Sequence, residues 1–446
     1  MLRKLHRQVR AFGHFARFVA AVSALIVLVK PSTAFARAAV PALFLPVTNY
    51  GSGGAFAKSA AVADVDEDGT LDVVVANCSA TQNGCYLATE NGAVAVLLGN
   101  GDGSLQPARS YEAGGIGTRS LAVSDVNADG HADLLVVNLF SNTVGVLLGN
   151  GDGTFQPVTL YRSGGVNPWS IKVADLNGDS KTDLVVANSC NAAACSGGAV
   201  AVLLGIGDGT FQTAAVYTGL NADGVSIADL NGDGQLDLVI ASGFFTVGLL
   251  YGKGDGTFSS AVSYDAGGLG SHAVAIADLN RDGRPDIVVS NCGPNVPGGG
   301  CGGTSGNGVI GVLLGSVDGT FRPVLTFDSG GKADTALAVA DVDGDGTPDV
   351  MVAHSCDASG DCSAGTVSIL QGRGNGSLAP AVTQSAGAPA ASGASSLDLA
   401  DLDGDGNLDL VVADGNDVGV LLHRGAPVHG HVCQRHGRSH HPARRY

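Results

Sequence analysis

Asp64-Val65-Asp66-Glu67-Asp68-Gly69-Thr70-Leu71-Asp72 runs directly into Val73-Val74-Val75-Ala76. The same pattern, Asp-x-Asp/Asn-x-Asp-x-x-x-Asp and then an apolar run, starts again at Asp125, Asp175, Asp229, Asp278, Asp341 and Asp401. Successive copies begin about 50–60 residues apart, a period that marks a repeat architecture. Each copy has an apolar stretch before the motif, such as Ser120-Leu121-Ala122-Val123, and one after it, such as Leu184-Val185-Val186-Ala187. A third follows, as in Val200–Gly205, then a Gly-Asp-Gly turn and a fourth, as in Phe155–Tyr161. These runs are short, rich in Val and Leu, and bounded by Gly, Asp or Asn, which is the grammar of strands. Four strands per repeat make the blade of a β-propeller. The expected fold is therefore all-β: a seven-bladed β-propeller of four-stranded blades, one domain over residues 37–423.

The chain ends support a closed ring rather than a linear solenoid. The seventh repeat stops after Val418-Gly419-Val420-Leu421-Leu422, without a turn or a fourth strand. Phe44-Leu45-Pro46-Val47-Thr48-Asn49-Tyr50 matches Phe155–Tyr161. The N-terminal strand is thus predicted to complete the last blade and remove its open edge.

Composition excludes other classes. The chain has 446 residues, 45% hydrophobic and only 15% charged, too apolar for a disordered chain. Its 68 glycines have no three-residue period, which excludes collagen. Residues 1–30 carry Arg3, Lys4, Arg7, Arg10, Arg17 and Lys30 and no acid; Phe18–Val29 is apolar, and Ala34-Phe35-Ala36 follows. That is the pattern of a signal peptide, 1–36, whose removal leaves no membrane span. The implied location is secreted, cell-surface or periplasmic. Residues 424–446 read as a basic His/Arg-rich solvated tail.

The Asp motif with the Gly-Asp-Gly-Thr-Phe turn resembles the FG-GAP/VCBS repeat of integrin α-chain propellers and of many secreted bacterial proteins. The resemblance spans about residues 44–422. It implies a propeller, and it fixes no activity, because the fold hosts adhesins, lectins and accessory domains of enzymes.

The Asp loops read as Ca²⁺ sites, up to seven. Alternate residues of a tight loop point inward, and hard Ca²⁺ takes six to eight oxygens. The candidate ligands are Asp64, Asp66, Asp68 and Asp72; Asp125, Asn127, Asp129 and Asp133; Asp175, Asn177, Asp179 and Asp183; Asp229, Asn231, Asp233 and Asp237; Asp278, Asn280, Asp282 and Asp286; Asp341, Asp343, Asp345 and Asp349; Asp401, Asp403, Asp405 and Asp409. Plain Asx-turns would need only one or two such residues per loop. The 24 ligand Asp residues are most of the chain's 41 acidic side chains, so its acidity need not signal a basic partner. The single carboxylates at Asp102, Asp152, Asp208, Asp255 and Asp318, with Asn375 in the sixth turn, read as ordinary hairpin turns.

Eight cysteines pair locally as Cys78/Cys85, Cys190/Cys195, Cys292/Cys301 and Cys356/Cys362, and Cys433 is left over. Export permits disulfides; Cys₄ zinc would require two pairs to meet across blades. Strand alternation puts Asp loops on one face and Cys and inter-blade loops on the other, the expected ligand face. Six residues before each first Asp stand Lys58, Arg119, Trp169, Asp223, His272, Thr335 and Ser395, different chemistry each time. They are expected in inter-blade loops, around the channel mouth, with Phe140, Phe244, Phe245 and Tyr86 nearby. The candidate ligand contacts are Trp169, Arg119, His272, Lys58, Phe140, Phe244, Phe245 and Tyr86, which suit a glycan or protein surface ligand rather than nucleic acid. No catalytic motif is present. The expected function is a secreted, calcium-binding, adhesin- or lectin-like module. A polysaccharide lyase or hydrolase using the same face, and a purely structural module, stay open as alternatives.

Overall fold

The computed structural model describes residues 43–81, 85, 90–191, 195, 197–294, 307–363, 365–387 and 393–425. The proposed signal peptide, Tyr86, Cys301, Cys433 and nearly all of the tail lie outside these residues. Among the described residues there are 28 strands and no helix. They form seven four-stranded antiparallel sheets. The first blade runs Ala55–Ala63, Asp72–Ser79, Asn91–Leu97 and Arg109–Ile116, from the axis outward.

Strand position explains the composition. The second strand, Asp72–Ser79, is buried at every residue, because neighbouring blades cover both of its faces. It therefore reads as a continuous Val run rather than an alternation. Outer strands such as Thr159–Arg162 are largely exposed. Seven hydrophobic clusters fill the ring, one between each pair of adjacent blades. Leu134, Val136 and Leu147 of the second blade, for example, pack on Val74, Val94 and Val96 of the first.

The last seam repeats the others. Thr48–Gly51 pairs antiparallel with Asp417–Leu421, placing Thr48 opposite Val420 and Gly51 opposite Asp417. Across this seam the Gly103 N–H donates to the Leu402 carbonyl (3.2 Å), as Gly153 N–H donates to Val65 between the first two blades (3.1 Å). Blade-to-blade connections are pinned by a buried amide at the end of the second strand. Asn77, Asn138, Asn188 and Asn291 each donate Nδ2 to the carbonyl 25 residues earlier. The second Gly of the connection lies against that amide; a Cβ on Gly165 would stand 2.6 Å from Asn188.

Three disulfides, Cys78–Cys85, Cys190–Cys195 and Cys356–Cys362, close the loops between second and third strands. Such bonds persist in oxidising surroundings. Among the described residues, no helix is long and apolar enough to cross a membrane.

Candidate functional site

Two sites emerge, on opposite sides of the strand order. The first is the set of Asp loops. In the first loop Asp64, Asp66 and Asp72 bring carboxylate oxygens within 4.8 Å of one another, and the same holds for Asp341, Asp343, Asp349 and for Asp401, Asp403, Asp409. These three groups could each hold a metal ion. The donors fit a hard cation: all are oxygens, and Asp64 Oδ1 is buried without a hydrogen-bond partner. The three are the loops with Asp at the third position; the other four have Asn there.

The loop backbone is bent twice. The sixth position has positive φ throughout: Gly69, Gly130, Gly234, Gly283, Gly346 and Gly406, with Ser180 at +63° in the third blade. The fourth position does too, and there the residue is Glu67, Ala128 and Arg281 in three blades. Both kinks aim N–H groups at the first Asp; Gly69 N–H donates to Asp64 Oδ2 (3.0 Å).

The ninth position does something else as well. Asp133 is fully buried, and its two oxygens accept the N–H of Val126 (2.9 Å) and of Gly149 (2.7 Å). It thereby ties the Asp loop to the segment leading into the Gly-Asp-Gly turn. Asp72, Asp183, Asp237, Asp286, Asp349 and Asp409 make the same clamp. Burial raises the pKa of all seven, with neighbouring carboxylates pushing the same way; Asp349 reaches about 6. In the Gly-Asp-Gly turns, Asp102 Oδ1 accepts the N–H and hydroxyl of Ser104, a plain turn contact.

The second site is an axial cavity of about 680 Å³. All seven variable positions line it: Lys58, Arg119, Trp169, Asp223, His272, Thr335 and Ser395. Six of the seven are not in loops, where the sequence suggested. Lys58, Arg119, Trp169, His272, Thr335 and Ser395 lie within inner strands, each at a register shift. A β-bulge leaves one residue unpaired and re-aims its side chain. Two residues before each bulge the backbone enters positive φ, at Phe56, Gly117, Asn167, Gly270, Ala333 and Gly393. Asp223, in the fourth blade, stands just before its strand, Gly224–Ala228. One backbone device thus delivers six different side chains to the axis.

Within the cavity the Arg119 guanidinium lies over the Trp169 ring, 3.2 Å from its centroid. The His272 ring is nearly parallel to the indole at 6.4 Å, and His272 Nδ1 is 3.4 Å from Asp223 Oδ2. Burial, and then the charge of Arg119, lower the Lys58 pKa to about 8.

The FG-GAP-like repeat pattern matches residues 85–136, 125–186, 191–240, 229–289 and 358–412, more than half of the chain. The chain belongs to the FG-GAP-like repeat family. No curated protein matches this FG-GAP propeller. Among solved structures it is similar to BBS1N in complex with ARL6DN from a mercury-soaked crystal, at 12% identity and a TM-score of 0.53, covering 86% of this chain and 98% of that one. The lead-soaked crystal of the same complex gives 10% identity and 0.53, covering 87% and 98%. At such identities the likeness is one of fold.

Not every residue read from sequence joins the cavity of the FG-GAP propeller. Phe140, Phe244 and Phe245 are exposed and do not line it. Phe140 and Phe244 instead sit beside the inter-blade connections, where the Phe244 carbonyl accepts the Gly270 N–H (2.7 Å). Tyr86 lies outside the described residues. Lys172 and Asp398, which the sequence reading did not single out, also line the cavity. They stand three residues after Trp169 and Ser395, along the inner strands, and that spacing was their only signal in the sequence.

Proposed function

We propose that this FG-GAP propeller is a secreted, calcium-stabilised module that binds a surface ligand at its axial cavity. The single observation that carries the reading is the ring of bulges. Six blades keep the same positive-φ kink, three of them at the strain it imposes on Phe56, Asn167 and Ala333, while the side chain it delivers changes from Lys to Arg, Trp, His, Thr and Ser. Strained backbone retained in this way clusters at functional sites. A structural ring would have no use for seven different groups facing one cavity.

On this reading residues 1–36 are a cleaved signal peptide, 37–423 the propeller and 424–446 a basic tail. The seven Asp loops hold Ca²⁺ on the opposite face and serve stability. The ligand is a glycan or a protein; the BBS1N complex with ARL6DN lends the protein alternative support by fold alone. A catalytic version of the same site would have to work through His272 and Asp223, the one His–carboxylate pair lining the cavity among the described residues. A glycan array and a pull-down, each run with calcium and with EDTA, test the proposal. Binding that disappears in Trp169→Ala while calcium content holds supports it. Binding that is unaffected by every substitution in the ring overturns it, and shortened polysaccharide products would make the protein an enzyme.

A further inference from the structure

The ring is not electrostatically uniform. Lys58 and Arg119 come from the first two blades, while the neutral hydroxyls of Thr335 and Ser395 come from the last two. The cavity's carboxylates are already engaged. Asp223 accepts from Ser189 (3.0 Å) and faces His272, and Asp398 accepts the N–H of Val62 (3.0 Å) and of Leu399 (2.9 Å). Asp334 is held by His354 (2.7 Å) and Ser329 (3.0 Å). Lys58, by contrast, makes no hydrogen bond or ion pair among the described residues, although it is half-buried and feels the charge of Arg119. Keeping an ammonium without an acceptor, beside a second cation, is unfavourable unless an anion completes the group.

Resting on the ligand-binding reading above, we propose that the cavity binds a small acidic saccharide, with its carboxylate held by Lys58 and Arg119. Size favours a small ligand: about 680 Å³ is the volume of a small-molecule pocket, whereas a protein partner covers a broad face. Trp169 orients the site. With one face of its indole under the guanidinium, it fixes the plane in which Arg119 presents paired N–H donors to a carboxylate. The hydroxyl side of the ring, and the serines of the inner strands, suit the sugar's own hydroxyl groups.

Calorimetric titration of the calcium-loaded full chain tests this with D-galacturonate and D-glucuronate against D-galactose, D-glucose, acetate and sulfate. A uronate is expected to bind at least about tenfold more tightly than its neutral sugar and than either simple anion. Lys58→Gln and Arg119→Gln should each weaken it about tenfold or more, with calcium content unchanged and the melting temperature shifted by no more than about 4 °C. Failure of both uronates to bind overturns the proposal. So does equal binding of the neutral sugars, or of acetate or sulfate, which would be adventitious anions only. An acidic peptide that binds more tightly than either uronate overturns it in favour of a protein ligand. A ligand found by array or pull-down that still binds Lys58→Gln would sink this inference and leave the proposed function standing. Absence of any ligand in all formats would remove both.

Discussion

Arg119 lies over the ring of Trp169 with Cζ 3.2 Å from the ring centroid, and the two residues reach each other from bulges in adjacent blades. The contact is a cation–π pair inside the axial cavity rather than a wedge between blades. Trp169→Ala should therefore cost about 1 kcal/mol of stability, the range of one such pair. Phe258 is a different case: 4% exposed, edge-on to Tyr217 and part of the seam between the third and fourth blades. Phe258→Ala should cost about 3–5 kcal/mol. Chemical denaturation of both variants checks the contrast. A loss of several kcal/mol in Trp169→Ala would reassign the indole to packing.

The ninth Asp of each loop separates metal binding from architecture. Asp133 is fully buried and satisfies two backbone N–H groups, whereas Asp129 is exposed at the loop tip. Removing a buried acceptor leaves each donor unsatisfied at about 1–3 kcal/mol. Asp133→Ala should thus destabilise the propeller by roughly 3–5 kcal/mol even in EDTA. Asp129→Ala in EDTA should change stability by less than about 1 kcal/mol. If the two variants melt alike without calcium, the clamp contributes nothing of its own.

The loops should also differ in affinity. More ligand charge tightens Ca²⁺. The first, sixth and seventh blades have four Asp each, while the other four blades have Asn at the third position. Titration should give close to seven ions, in a tighter class from the first, sixth and seventh blades and a weaker class from the rest. The third blade should be weakest. Its Ser180 is forced to φ +63°, and Lys181 Nζ stands 3.5 Å from Asp179 Oδ2. Ser180→Gly should relieve that strain, raising stability by about 1 kcal/mol and tightening the site. Two or fewer ions by elemental analysis after calcium dialysis would end the calcium reading.

Much of this was legible in the sequence because the repeat multiplies each signal. Seven copies of the Asp loop, the apolar runs and the turn left little freedom in the fold, and position six before the loop stood out because its chemistry changed in every copy. What could not be read was the backbone at that position. A bulge carries no residue preference here: Lys58, Arg119, Trp169, His272, Thr335 and Ser395 share no property that marks an unpaired residue. Placing them in inter-blade loops was the natural reading, since Gly-Gly precedes several of them. The clamp at Asp133 was hidden for a related reason. A carboxylate that only faces a candidate metal site and one that also caps two amides look identical in a one-dimensional pattern, and only the folded backbone around them shows the second role. Phe140, Phe244 and Phe245 were read as lying near the channel mouth, and the sequence did not show that they stay exposed outside the cavity lining.

The last blade carries a departure with a pH signature. At the end of the second strand four blades have Asn, whose Nδ2 donates to the carbonyl 25 residues earlier. The seventh has Asp414, 1% exposed, with neither carboxylate oxygen hydrogen-bonded. Burial, with Asp417 adding to it, pushes its pKa up to about 6, against the opposing influence of the Gly365 amide that faces it. A folded-state pKa above the unfolded value near 4 means the native protein binds the proton more tightly. This contribution to stability is full below about pH 4, declines as pH rises through about 6, and is absent at pH 7 and above. Asp414→Asn supplies a neutral donor of the same shape. It should raise stability by about 1–3 kcal/mol at pH 7, and the gain should shrink toward zero below about pH 4. Denaturation curves of parent and variant from pH 3.5 to 8, at one fixed calcium concentration, give the difference directly, so that titration of the Asp loops cancels. A difference that is independent of pH would show that Asp414 is ionised alike in the folded and unfolded chain.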